Sequence, residues 1–161
     1  MTRDPIWVTL TSAELLSAGS IGLARHAKSI KRGQPDCHGH GGDNGWSLHI
    51  EGACGELAAA KASGRYWLAT IDSFKYGDDV AGFQVRTRSK HEWDLIIRDD
   101  DKDDRIFVLV TGQAPSYAVR GWIRARDGKK DEHVREHGSR PSAWFVPQVA
   151  LLPMETLPPT D

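Results

Sequence analysis

The order of segments along the chain predicts an α+β fold. Two helical stretches come first, and a run of β-branched and aromatic segments follows. Helices that precede a block of strands, rather than alternating with them, argue against a regular doubly wound sheet. The chain has 161 residues, which suits one domain burying roughly 70% of the surface its unfolded form exposes. We read residues 1–152 as that domain, with a central mixed sheet flanked by helices, and the proline-rich 153–161 as a flexible tail.

The elements follow in order. Ile6 to Leu10, IWVTL, is a short strand. TSAELLSAGSIGLARHAKSIK reads as a helix. Thr11 and Glu14 have capping-box spacing, in which side chain and backbone satisfy each other's free helix-end groups. Leu15, Ile21 and Leu23 are its clearest apolar positions, while Gly19 and Gly22 weaken its middle. Arg32 to Gly45 is a glycine-rich loop. WSLHIEGACGELAAAKASG is a second helix, with Ile50, Ala53, Cys54, Leu57, Ala58 and Lys61 on one stripe and Gly64 as its stop. RYWLATI, GFQVRT, DLIIR, RIFVLVTG and SYAVRGWI are strand candidates with turn signals between them. Asp99 to Asp104 lie in an acidic turn expected to be solvated. RDGKKDEHVREHG reads as a short helix or a mobile loop, and AWFVPQVALL closes the fold.

The composition, 39% hydrophobic and 27% charged, is that of a globular protein. With a net charge of −1 and a pI near 6.6, the whole molecule has no field to draw nucleic acid. Such a partner would need a local patch. Cys37 and Cys54 are too few for a disulfide framework and read as free thiols in a reducing compartment. No apolar run is long enough for a membrane span, and the N-terminus lacks a signal-peptide pattern, so a cytoplasmic location is expected.

The chemistry concentrates in YGDDVAGFQVRTRSKH. Side chains alternate along a strand, so Gln84, Arg86, Arg88 and Lys90 share one face and Phe83, Val85 and Thr87 the other. Asp79 precedes this strand by a tight connection through Gly82. Phosphodiester hydrolysis with a divalent metal needs hard oxygen ligands and a cation facing the phosphate. Asp79, the Gln84 side-chain oxygen and the Val85 carbonyl supply the ligands, and Arg86 the cation. Asp78 and Asp79 also suit an ordinary turn, and the Gln84 face an ordinary solvated one.

An aspartate followed by a strand reading glutamine, any residue, then a basic residue resembles the PD-(D/E)XK nuclease superfamily. HIEGACGELAAAK, DVAGFQVRTRS, FVLVTG, VRGWI and FVPQ also resemble a group of small proteins common in phage and prophage genomes. The resemblance runs from about His49 to Leu152. It implies a restriction-endonuclease-like fold, Mg2+ or Mn2+ as cofactor and DNA as partner. It adds Glu56 on the preceding helix to Asp79, Gln84 and Arg86. Glutamine in the acidic position removes a negative charge from the site. Arginine in the lysine position stays protonated and so clamps phosphate rather than acting as a base. A DNA-binding module that has lost turnover, or a phage accessory protein that binds a host protein, are the alternatives. The resemblance also allows a homodimer, since small nucleases often dimerise to cut both strands, though the sequence shows no interface signature.

Helix periodicity places Glu56 beside the apolar stripe, with Glu51 near its other boundary as the rival. Arg88 and Lys90 are read as phosphate contacts or plain surface. The basic end of the first helix, Arg25, His26, Lys28, Lys31 and Arg32, reads as a second DNA contact or a solvated face. Cys37, His38 and His40 match no familiar zinc module. Cys54 is expected in the core, His91, His133 and His137 on the surface, and Trp122 and Trp144 in the core.

Overall fold

The computed structural model describes residues 4–33, 45–71 and 77–160. Thr11 starts the first long helix as its sequence predicts. Its hydroxyl accepts from the Glu14 N–H, and the Glu14 carboxylate accepts from the Thr11 N–H. This helix, α1 (Ser12–Lys31), follows β1 (Ile6–Thr9) and runs unbroken through both glycines. Gly22 is where α1 meets α2 (Gly45–Ser63). A Cβ there would stand 2.5 Å from the Ile50 Cα, so the two backbones approach too closely for any side chain. Ala53, Cys54, Ala58, Ala59 and Ala60 bury the inner sides of α2.

The remaining elements are β2 (Gln84–Arg88), β3 (Leu95–Ile97), β4 (Ile106–Gln113), β5 (Ser116–Arg124), the single turn α3 (Ala125–Gly128), β6 (Val134–His137) and β7 (Arg140–Val146). A four-stranded mixed sheet has the order β1-β5-β4-β2, with β2 parallel to β4 and the other pairs antiparallel. A second, antiparallel sheet has the order β3-β7-β6. The fold is therefore α+β, as expected. The two long helices lie on one face of the mixed sheet. The small sheet and α3 cover the other.

β4 explains this layering. Its sequence IFVLVT does not alternate, because both of its faces are buried. Val108 and Val110 join Val80, Phe83, Val85, Tyr117 and Trp122 under α2. Phe107 and Leu109 face Leu95, Ile97, Ile123 and Val146. Gly55 brings α2 down onto β2, since a Cβ there would overlap the Thr87 side chain at 2.0 Å.

Some local expectations are revised. RYWLATI forms no strand; Trp67 makes a single bridge to Val80. The Leu68 N–H donates to the Asp79 carbonyl and the Ala81 N–H to the Tyr66 carbonyl, so this segment props the aspartate turn instead. HVREH contributes a strand, and His133 is buried, with Nδ1 2.9 Å from the Gly128 carbonyl oxygen. The proline-rich end packs rather than frays. Met154 is buried, the Trp122 Nε1–H donates to the Pro153 carbonyl, and Arg65 donates to the Pro158 carbonyl. Two indole and guanidinium donors find acceptors there, which composition could not show. Cys37, His38 and His40 lie outside the described residues, as does the His137 side chain. Cys54 and Trp122 are buried as expected, and Trp144 packs partly buried against the second core.

Candidate functional site

Among the described residues β2 is an edge strand. The Val85 N–H points off that edge and donates to Asp79 Oδ2 at 2.8 Å. The N–H and C=O of one strand residue leave on the same side, so the Val85 carbonyl is directed off the same edge. The turn from Asp79 to Phe83 fixes this relation: the Asp79 and Val80 N–H groups both donate to the Phe83 carbonyl.

Glu56 reaches the same region from α2 and is 7% exposed. Its carboxylate receives a bidentate guanidinium from Arg25, at 2.6 and 3.0 Å, and the Trp67 indole N–H at 3.0 Å. The Arg25 Nε–H also donates to the Thr70 carbonyl at 2.7 Å. Glu56 is thus fully engaged in a buried network. Burial, and next the Glu56 charge, raise the Asp79 pKa to about 7, while the Val85 N–H and the Arg86 and Arg25 charges pull the other way. The two carboxylates therefore feel each other, and Asp79 is held near neutrality.

Arg86 leaves β2 on the opposite face. Its guanidinium lies over the Phe107 ring at 4.6 Å, pairs with Asp101 at 2.8 and 2.9 Å, and has Nε 3.3 Å from the Ile96 carbonyl. Asp101 is thereby a structural partner rather than part of a solvated acidic turn. Gln84 donates its amide nitrogen to the Gly77 carbonyl at 3.0 Å. Arg88 lies over Trp93 at 4.7 Å and donates to the Asp94 carbonyl, and Lys90 caps the same indole at 5.2 Å. The rival, Glu51, accepts the Tyr117 hydroxyl at 2.5 Å and faces the Ala114 N–H. Lys28 and Lys31 end α1, with Arg32 as its C-cap.

A cleft of about 810 Å3 runs along this edge. Glu56, Val85, Arg86, Thr87 and Arg88 line it from α2 and β2, and Trp93, Arg98, Arg135 and Arg140 from across it. Asp79, Gln84, Lys28, Lys31 and Arg32 are not among its lining residues. The sequence-predicted set therefore divides. Glu56, Val85, Arg86 and Arg88 share the cleft; Asp79 sits behind the Val85 edge; Gln84 lies on the Arg86 face. Burial, and then the neighbouring Arg86 charge, lower the Arg98 pKa. Burial lowers that of Arg88. Crowded guanidiniums of this kind favour an anion between them.

Among the described residues no three His, Cys, Asp or Glu side chains are grouped to hold a metal. A cation at this edge would draw on Asp79, Glu56 and the Val85 carbonyl, and on the Gln84 amide oxygen only from the opposite face of β2. That donor chemistry suits a hard divalent ion, and two mutually repelling carboxylates would be relieved by one. Sequence reasoning missed Arg25 as the Glu56 partner, although Ala18, Gly22 and Arg25 have the helical spacing of an inward face. It also missed Trp67, Asp101, Arg98, Arg135 and Arg140. Comparison with protein-family models, with curated proteins and with solved structures finds no match for the chain.

Proposed function

We propose that the protein is a metal-dependent DNA nuclease of PD-(D/E)XK type, hydrolysing phosphodiester bonds with Mg2+ or Mn2+. The observation that carries this reading is the Asp79–Glu56 pair: Glu56 lines the arginine-rich cleft, and Asp79, its pKa pushed to about 7, sits behind the Val85 strand edge beside it. Glu56, Asp79, Gln84 and the Val85 carbonyl would hold the ion. When bound, a divalent ion supplies Lewis acidity and lowers the pKa of a coordinated water. Asp79 must lose its proton for the site to load, so loading is favoured above about pH 7. Arg86, held in place by Asp101 and Phe107, faces the phosphate and neutralises charge developing on its oxygens. It takes no proton, since a guanidinium stays charged. Arg88, Arg98, Arg135 and Arg140 grip the flanking backbone.

One observation favours a second reading. Both Glu56 oxygens are already engaged, by Arg25 and Trp67. In a DNA-binding module without turnover, Arg25 would stand permanently where the nuclease needs an ion. The test is Mn2+-dependent cleavage of plasmid and single-stranded DNA, compared with Asp79→Ala, together with calorimetry of Mn2+ binding. Cleavage lost in Asp79→Ala supports the nuclease. No cleavage on any substrate removes the enzymatic reading, and salt-sensitive DNA binding without Mn2+ uptake leaves the module.

A further inference from the structure

Arg88, Thr111, Ala118 and Trp7 are register partners across all four strands of the mixed sheet. Directly opposed residues share a face, so they form one row, roughly 14 Å from end to end at the usual strand spacing. The row starts in the cleft at Arg88 and ends outside it at Trp7. The chain that leaves β2 turns back over this row. His91 Nδ1 lies 3.1 Å from the Thr111 hydroxyl, and the His91 ring meets the Trp7 ring edge-on at 5.3 Å. Gln148 fixes the turn by donating to the His91 and Trp93 carbonyls at 2.7 and 2.9 Å.

Arg120 is the surplus residue of a bulge, where Leu109 pairs with Gly121 and Val110 with Val119. A bulge re-aims a side chain, and here the Arg120 Nε–H donates to the same Thr111 hydroxyl at 2.8 Å. Among the described residues no carboxylate pairs with this guanidinium, whereas Arg25, Arg86 and Arg105 each have one. Burial lowers the Arg120 pKa with no counter-charge to offset it, and a bound anion would supply one. Trp7 is 61% exposed, and the one ring beside it can cover only one face of the indole. We propose that Arg120 and His91 bind a backbone phosphate of a single DNA strand leaving the cleft past Arg88, while an unpaired base stacks on Trp7. Bases in a duplex stack on each other, so an open indole at the end of a cationic track selects unpaired strand. The proposal rests on the reading of the cleft as a DNA site, and not on turnover.

The test is fluorescence anisotropy on the full chain without metal, using labelled oligothymidylate of about 12 nucleotides and a blunt duplex of equal length. The single strand should bind more tightly than the duplex. Arg120→Gln should weaken single-strand binding about 5- to 10-fold and reduce its salt slope by about 0.7. Trp7→Ala should weaken it at least about 5-fold with the slope unchanged, and Trp7→Phe should restore it. Neither site should matter to the duplex, whereas Arg88→Ala should weaken both probes. Loss in Arg88→Ala with Arg120→Gln and Trp7→Ala unaffected would overturn this proposal and keep the cleft. A preference for duplex, or equal losses with both probes, would overturn the choice of single strand. No binding of either probe at low salt would overturn the cleft reading as well.

Discussion

Two arginine–carboxylate pairs brace the cleft from opposite faces of the mixed sheet. Arg25–Glu56 lies on the helix face and Arg86–Asp101 on the face covered by the small sheet. Arg25 grips Glu56 bidentately through two guanidinium nitrogens, whereas Arg86 reaches both Asp101 oxygens through Nη2 alone, at similar lengths. They differ in surroundings. Arg25–Glu56 is the more buried pair and lies near a third charged group, Asp79; Asp101 has turn backbone beside it and accepts the Arg98 N–H at 2.8 Å. The same pairing chemistry therefore serves as plain bracing on one face and, on the other, as part of an electrostatically frustrated cluster.

The largest effect should come from breaking the helix-face pair. Arg25→Met leaves a buried carboxylate without its counter-charge and should cost about 3–5 kcal/mol in urea denaturation. Arg86→Met, on the more solvated side, should cost roughly 2 kcal/mol. Equal losses would erase the distinction.

Next is the pH dependence of stability. In the folded protein Asp79 keeps its proton to about pH 7, against 3.8 ordinarily. The folded state thus binds more protons across that interval, and stability falls as pH rises. The contribution is complete below about pH 4 and lost as pH passes through about 7. Asp79→Asn, which can still accept from the Val85 N–H, should flatten the profile from denaturant midpoints, and Glu56→Gln should move the fall to lower pH. Millimolar Mn2+ should restore stability on the alkaline side if the carboxylates share an ion.

A smaller effect isolates the position of Glu56. Gly55→Ala forces α2 off Thr87 and should destabilise by roughly 2–3 kcal/mol. It should also shift the Asp79 profile, because Glu56 moves with the helix, while Arg86–Asp101 stays in place. The smallest effect concerns binding alone. Arg88→Ala should weaken DNA binding about 5- to 10-fold and reduce the salt slope by about 1 in a fluorescence titration.

What the sequence revealed follows the range of each interaction. The capping box spans three residues and local pattern shows it; the tight connection through Gly82 likewise showed that Asp79 stays close to the start of β2, though not that it accepts from the Val85 N–H. Alternation along β2 placed Gln84, Arg86 and Arg88 together. The choice of partners was hidden, because Arg25 meets Glu56 across 31 positions and Arg86 meets Asp101 across 15. Nothing local marks Asp101 among its acidic neighbours as the one that turns back. The cleft's far wall, Arg135 and Arg140, belongs to a hairpin whose first strand read as a helix or loop, since VREH has little β-branched content.

The free edge of β2 has a consequence for solubility. An unpaired edge invites a strand from another molecule, the first step toward fibrillar assembly. At Val85 the docking N–H is already taken by a carboxylate, and charged arginines flank it at 86 and 88. The Asp79 carboxylate and these arginines thus act as a guard against sheet-to-sheet growth. Neutral replacements at this strand should therefore bring turbidity on heating before any loss of native structure.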